Sequence, residues 1–240
     1  MISSKDMRRR ILELAIKSGN NHIASAMSIV EILIAVYSMM TKDDKFILSK
    51  GHGCLALYAM LESLGYKPEL KHHPDIDVAN GITCTTGSLG HGLPIAVGMA
   101  MGLKIQDKPG NIYVLMGDGE CQEGTTWESC MLAAHYQLNN LIAIVDRNGK
   151  QALDDTERVC ALGDLWQKFT AFDWDCCESD GHVSANIIDV MRDRFKHKPF
   201  VLIANTIKGK GIPYMEDKPE WHAKMPSAAQ FSSSFRELVA

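Results

Sequence analysis

Two short apolar runs, each ending in a polar turn, constrain this chain most. Ile112 to Met116 leads into Gly117, Asp118 and Gly119, and Leu141 to Val145 leads into Asp146, Arg147 and Asn148. Short apolar runs bounded by turn residues fit strands buried on both faces. A helical pattern over 123–137 separates them and is long enough to be the crossover of a parallel pair. Asp118 and Asn148, thirty positions apart, then sit at the carboxyl ends of two strands, where open α/β sheets bind ligands. A carboxylate and an amide oxygen suit a hard cation such as Mg²⁺, which often bridges to a diphosphate.

The rest of the chain repeats this alternation. Met7, Ile11, Leu14 and Ala15 recur at helical spacing, so 4–17 reads as an amphipathic helix. Ser28 with Glu31 reads as a capping box opening a helix to Met40. A strand is expected at 46–48 and a helix at 55–64, stopped by Gly65. Residues 66–90 read as a long loop, a feature that is often functional. A helix over 94–105 carries Gly98 and Gly102 four apart, a spacing that permits close packing. Helices follow at 163–171 and 184–196, strands at 173–177 and 200–205, and the last thirty residues read as loop. The fold class is therefore α/β, a mostly parallel sheet with helices on both faces, in one domain over 1–240.

Composition removes other classes. A net charge of −4 without a basic block gives no nucleic-acid surface, and the Arg8–Arg10 cluster reads as a solvated helix face. The seven cysteines are scattered without a CxxC pair and read as buried, reduced thiols. The first apolar stretch is broken by Arg and Glu, unlike a signal peptide. The segment 29–40 is too short to span a bilayer and contains Glu31. A cytoplasmic protein with no nucleic-acid or membrane partner is expected.

Five segments can carry chemistry. In Gly117–Asp118–Gly119, glycine on both sides lets a phosphate approach the amides, and the helix that follows offers its positive end to an anion. Asp118 also reads simply as a turn residue or helix cap. In LSKGHG, His52 is either a turn histidine or an imidazole held at a cofactor. In TTGSLGHG, Gly87, Gly90 and Gly92 leave the backbone bare, as contact with a flat ring needs. WHAKMP places His222 in a proline-bounded loop, and SGNNHI places His22 between two helices. His72 and His73 fall in the central loop. Loops at strand ends carry function more often than cores do.

Taken in order, KSGNNHIASAMSIVEIL, LSKGH, HHPD, TTGSLGHG, GDGECQEG, DRNGK, NTIKGKG and MEDKPEWHAKMP resemble the transketolase family, specifically its N-terminal, thiamin diphosphate-binding half. The chain looks like the N-terminal subunit of a transketolase split into two chains. The resemblance implies a thiamin diphosphate-binding fold and transfer of a two-carbon ketol unit from a ketose, or its phosphate, to an aldose or its phosphate. It implies that Asp118, the Asn148 side chain and the Lys150 main-chain oxygen bind Mg²⁺ or Ca²⁺, and that Gly119 approaches the diphosphate. His52 and His222 would contact the diphosphate and face substrate. Gly87, Ser88 and Leu89 would hold the aminopyrimidine end, and His22 and His73 would bind substrate hydroxyls. Glu123 resembles the glutamate that links two active sites. The pattern departs at His91, where glutamine is usual, and at the looser SGNNHI. The family's activating glutamate and ring-wrapping aromatics come from the other half, which implies a partner, the C-terminal transketolase subunit, in an α₂β₂ assembly. Half of a 1-deoxyxylulose-5-phosphate synthase-like or 2-oxo-acid dehydrogenase alpha-like enzyme is the alternative.

Overall fold

The computed structural model describes residues 2–194 and 197–238. Helices α1 (Ser4–Ser18), α2 (Ile23–Met27) and α3 (Val30–Met39) precede strand β1 (Lys45–Leu48) and α4 (Cys54–Ser63). After a long loop come α5 (Gly92–Ile105), β2 (Ile112–Gly117), α6 (Gly124–His135) and β3 (Leu141–Arg147). The chain continues through α7 (Thr156–Val159), α8 (Leu165–Ala171), β4 (Asp175–Asp180), α9 (Ser184–Asp193), β5 (Phe200–Asn205) and α10 (Ala228–Glu237). The five strands form one sheet in the order β1-β2-β3-β5-β4, and every pairing is parallel.

Strand alternation builds a core on each face. Ile142 and Ile144 join the cluster that contains the apolar faces of α1, α3, α4 and α9. Leu141, Ala143 and Val145 point the other way, against residues of α5, α6 and α8. The central strands are buried along their length, which explains their unbroken apolar sequence. The register pairs Gly117 with Asp146 and Arg147 with Asn205. The polar turns after β2, β3 and β5 therefore emerge side by side at one edge.

Several sequence expectations need correction. No capping box forms at Ser28: its hydroxyl donates to Asp146 Oδ2 at 2.8 Å, Glu31 is taken by Arg8, and Ile29 occupies the cap of α3. Arg8 is not on a solvated face but only 7% exposed, while Arg9 and Arg10 do face outward. Gly98 and Gly102 give no close packing within this chain, because a Cβ at either would meet almost nothing. The edge strand begins at Asp175 rather than 173, since Trp174 is buried in the core and pairing with β5 sets the register. The tail is not all loop: Ser227 and Gln230 form a reciprocal cap that starts α10. The helix expected over 184–196 is seen to Asp193, and residues 195 and 196 lie outside the described residues. Cys160 is exposed rather than buried. Among the described residues no helix is long and apolar enough to cross a membrane.

Candidate active site

The polar turns frame a cavity of about 220 Å³ at the carboxyl edge of the sheet. Its wall takes Asp118 and Gly119 from the end of β2, Asn148 and Lys150 from the end of β3, and His52 from the turn after β1. Leu89, Glu123, Lys208 and His222 come from loops.

Asp118 is 2% exposed. Its Oδ1 accepts from the Gly119 amide at 2.8 Å, and its Oδ2 accepts from the Gly149 amide at 2.7 Å. Burial and then the nearby Asp146 charge push the Asp118 carboxyl above its ordinary range. A cation beside it would reverse that penalty. Asn148 donates its amide nitrogen to Asp146 Oδ2 at 2.9 Å, so its oxygen is left for the Lys150 amide at 3.1 Å and for the cavity. Lys150 sends its ammonium to Asp155 at 2.6 Å, away from the site, and contributes its carbonyl. Among the described residues no three His, Cys, Asp or Glu side chains are arranged to hold a metal. The oxygen set here is instead one carboxylate, one amide and one carbonyl. That set fits a hard cation which takes its remaining ligands from a bound phosphate.

The cavity floor was not singled out in the sequence. Asp146 is fully buried and accepts from Ser28, Asn148, Thr206 and Lys50. Burial, the largest single influence, would raise its carboxyl, but the Lys50 charge together with the hydrogen bonds from Lys50, Thr206 and Ser28 outweighs it and holds the carboxyl below the usual range. Lys50 is 1% exposed and also donates to the Ser25 carbonyl at 3.1 Å. The Ser25 hydroxyl lines the cavity and is buried without a partner, as a group awaiting a ligand would be. Lys208 Nζ donates to the Lys150 and Gln151 carbonyls at 3.2 and 3.3 Å and lies 2.8 Å from His222 Nδ1. Burial, followed by the Lys50 charge, lowers its ammonium to about 7. Glu120, 1% exposed, accepts from Ser49 Oγ at 2.6 Å and from the Gly90 and Gly117 amides at 2.9 Å each. It thereby ties the β1 end and the glycine-rich loop to β2. The only signal for Lys50, Glu120, Asp146 and Lys208 is that each lies within a few residues of a strand end; Ser25, inside α2, has none.

His52 and His222 line the cavity mouth, and His22 and His73 cluster with them. His22 lies 5.8 Å from His52, 6.0 Å from His73 and 5.5 Å from His222, ring centre to ring centre, and His52 lies 5.2 Å from His222. Burial, then neighbouring positive groups, lowers His22 to about 4 and His222 to about 3 and puts His52 well below its ordinary value. All three are neutral at pH 7.

The glycine-rich loop lies beside this cluster. Gly87 (φ +145°) has His73 against it, where a Cβ would fall 3.0 Å from the ring. Leu89 reaches the cavity wall. Ser88 does not: it is exposed, with its hydroxyl 3.3 Å from His91 Nδ1. His91 is also exposed and turned toward the Leu89 carbonyl. Glu123 stands exposed on the cavity rim just before α6.

A parallel sheet whose strand ends bring together one carboxylate, one amide oxygen, glycine turns and two buried lysines defines an α/β domain with its candidate ligand site at the carboxyl edge of the sheet. The chain belongs to the family described as transketolase, thiamine diphosphate binding domain, which matches residues 7–233. It is 39% identical over 261 residues to one of the subunits of apulose-4-phosphate transketolase from Phocaeicola vulgatus, covering 99% of this chain and 92% of that protein. It is 36% identical to 6-deoxy-6-sulfo-D-fructose transketolase subunit SqwG of a Clostridium species, covering 97% and 93%. Human transketolase is 34% identical over 92% of this chain, which spans 39% of that protein. The fold matches the crystal structure of Campylobacter jejuni transketolase with a TM-score of 0.87 at 24% identity, over 98% of this chain and 42% of that one.

Proposed function

We propose that this chain is the N-terminal subunit of a thiamin diphosphate- and Mg²⁺-dependent transketolase that is active only with a C-terminal partner subunit, in an α₂β₂ assembly. The observation that carries the reading is the meeting, in one cavity, of Asp118, Asn148 and Lys150 with His52 and His222, against which His22 and, beyond it, His73 are packed. Bound thiamin diphosphate supplies the carbanion stabilisation that ketol transfer requires. Asp118, Asn148 Oδ1 and the Lys150 carbonyl hold Mg²⁺, or Ca²⁺ in its place. The Gly119 amide, Ser25 Oγ, Lys208 and His52 receive the diphosphate. The backbone of Gly87, Ser88 and Leu89 receives the aminopyrimidine.

Proton movement falls to the imidazoles. A charged Lys208 donates to His222 Nδ1, so the His222 proton sits on Nε2, free for a substrate oxygen. Neutral His22, His52 and His73 accept from and donate to sugar hydroxyls, as removal of a proton from a donor and delivery to an aldehyde require. Glu123, exposed on the rim, faces the site's link to a second active centre. The relatives named for apulose 4-phosphate and 6-deoxy-6-sulfo-D-fructose support a sugar or sugar-phosphate substrate.

The test is ketol transfer by this chain with and without the subunit encoded beside it. Saturating thiamin diphosphate and Mg²⁺ are present, first with xylulose 5-phosphate and ribose 5-phosphate and then with apulose 4-phosphate. Turnover only in the mixture is expected. Full turnover by this chain alone would refute the division of labour, and turnover of pyruvate instead would move the chain to another thiamin enzyme.

A further inference from the structure

Beyond Asp180 at the end of β4, the chain is pinned to the loop that leaves β5. The Gly181 amide donates to the Asn205 carbonyl at 2.8 Å, and a Cβ at Gly181 would lie 2.4 Å from Thr206. His182 then reaches in two directions. Its Nε2 accepts from the Ile207 amide at 2.8 Å, and its Nδ1 lies 3.2 Å from Glu31 Oε2. A donor aimed at Nε2 needs a lone pair there, so these partners assign the ring proton to Nδ1, facing the carboxylate. Glu31 is fixed in turn by Arg8, through contacts of 2.7 and 2.8 Å. Arg8 also donates from Nε to the Lys210 carbonyl at 2.9 Å.

The Arg8–Glu31–His182 chain thus grips Ile207 on one side and Lys210 on the other. Between them lies Lys208, whose ammonium turns inward to two carbonyls and to His222. A lysine has a long, freely rotating stem, so its head is placed accurately only if its own backbone is held. None of the three gripping side chains lines the cavity. We propose that His182 is a positioning residue: as the neutral Nδ1–H imidazole oriented by Glu31 and Arg8, it fixes the Ile207–Lys210 segment and so sets Lys208 at the diphosphate end of the cavity. This rests on the proposed function for the ligand, but not for the latch itself.

Two amide variants separate the latch from plain stability. His182→Gln places an oxygen near the Nε2 position and keeps an acceptor for the Ile207 amide. His182→Asn, one methylene shorter, does not reach it. Hydrogen exchange is followed over 205–211 in the complex with the partner subunit. Exchange in this segment should quicken in His182→Asn and stay near wild type in His182→Gln. Equal exchange in all three overturns the latch, whether or not any cofactor binds. Thiamin diphosphate titration of the same complexes, with Mg²⁺, should show affinity about tenfold weaker in His182→Asn, the factor carried by one ordinary lost hydrogen bond. His182→Gln should recover most of it. Combining His182→Asn with Lys208→Met should weaken binding no further than Lys208→Met alone, since one acts through the other. Losses that multiply, or that track melting temperature equally in both amide variants, overturn the role. A wild-type complex that binds no thiamin diphosphate overturns the proposed function, and the exchange result then decides the latch.

Discussion

On the cavity floor Asp146 accepts from four donors and has no exposed surface. A few ångströms outward, four imidazoles lean on one another, and among the described residues none of the four pairs with a carboxylate. The Asp146–Lys50 pair of the floor is satisfied within the chain. The mouth is less satisfied: Lys208 engages His222 Nδ1 and Asn20 Oδ1 lies 3.4 Å from His22 Nδ1, but among the described residues the His52 and His73 rings have no hydrogen-bond partner, and burial keeps His22, His52 and His222 neutral. Binding a fixed diphosphate rewards preorganisation, whereas shuttling protons with a changing sugar rewards groups not already committed. Under the proposed function one chain would supply both, the floor from strand ends and the mouth from loops.

The sharpest way to break the floor is to remove one member of its buried ion pair. Asp146→Asn leaves the Lys50 charge uncompensated and should cost about 3–5 kcal/mol in denaturant unfolding of the isolated chain. Adding Lys50→Met to that variant should restore part of the loss. If Asp146→Asn unfolds at the wild-type midpoint, the pair does not stabilise the floor. Next in size is Asp118→Asn. It should weaken Mg²⁺-dependent thiamin diphosphate binding by the complex about a hundredfold, or about 2.7 kcal/mol, with little change in melting. Unchanged affinity would remove Asp118 from the metal site.

The mouth is tested by acid. His22 and His222 titrate near 6.5 when unfolded but at about 4 and about 3 when folded. As pH falls below about 6.5, the unfolded chain takes up protons that the folded rings refuse, so stability declines. The decline continues to about 4 for His22 and about 3 for His222. Glu31, lowered to about 2 by His182 and Arg8 against the cost of its burial, gives stability that is lost only below its ordinary value of 4.5. Lys208, at about 7 when folded, adds to the decline near pH 7, so unfolding midpoints measured between about pH 6 and about pH 5 report the rings: the midpoint should fall toward about pH 5, and less steeply in a His22→Asn, His222→Asn double variant. An equal slope would mean that the rings are not held neutral. The smallest effect is expected at the rim. Glu123→Gln should change stability by less than about 0.5 kcal/mol, as exposed substitutions do, while slowing ketol transfer by the assembled enzyme. A large loss of stability in the chain alone would show that Glu123 is committed within it.

The sequence marked the buried central strands and the place of the candidate site at their carboxyl ends. Apolar runs ending in polar turns mark buried strands and their carboxyl edge, and Asp118, Gly119, Asn148, His52 and His222 could be read because they lie in those turns or in glycine- and proline-marked loops. Local patterns misled where a distant partner competed for the same atom. Ser28 looked like a helix cap until Asp146, far along the chain, claimed its hydroxyl. Arg8 looked like a solvent-facing charge until Glu31 and the Lys210 carbonyl met it. Asp146, Lys50, Lys208 and Glu120 carry no local signature beyond lying near strand ends, because a lysine or carboxylate in sequence does not say whether it will be buried or what will neutralise it. Only the tertiary structure decided that, since burial and pairing are properties of residues brought together by the sheet register rather than by their neighbours in the chain.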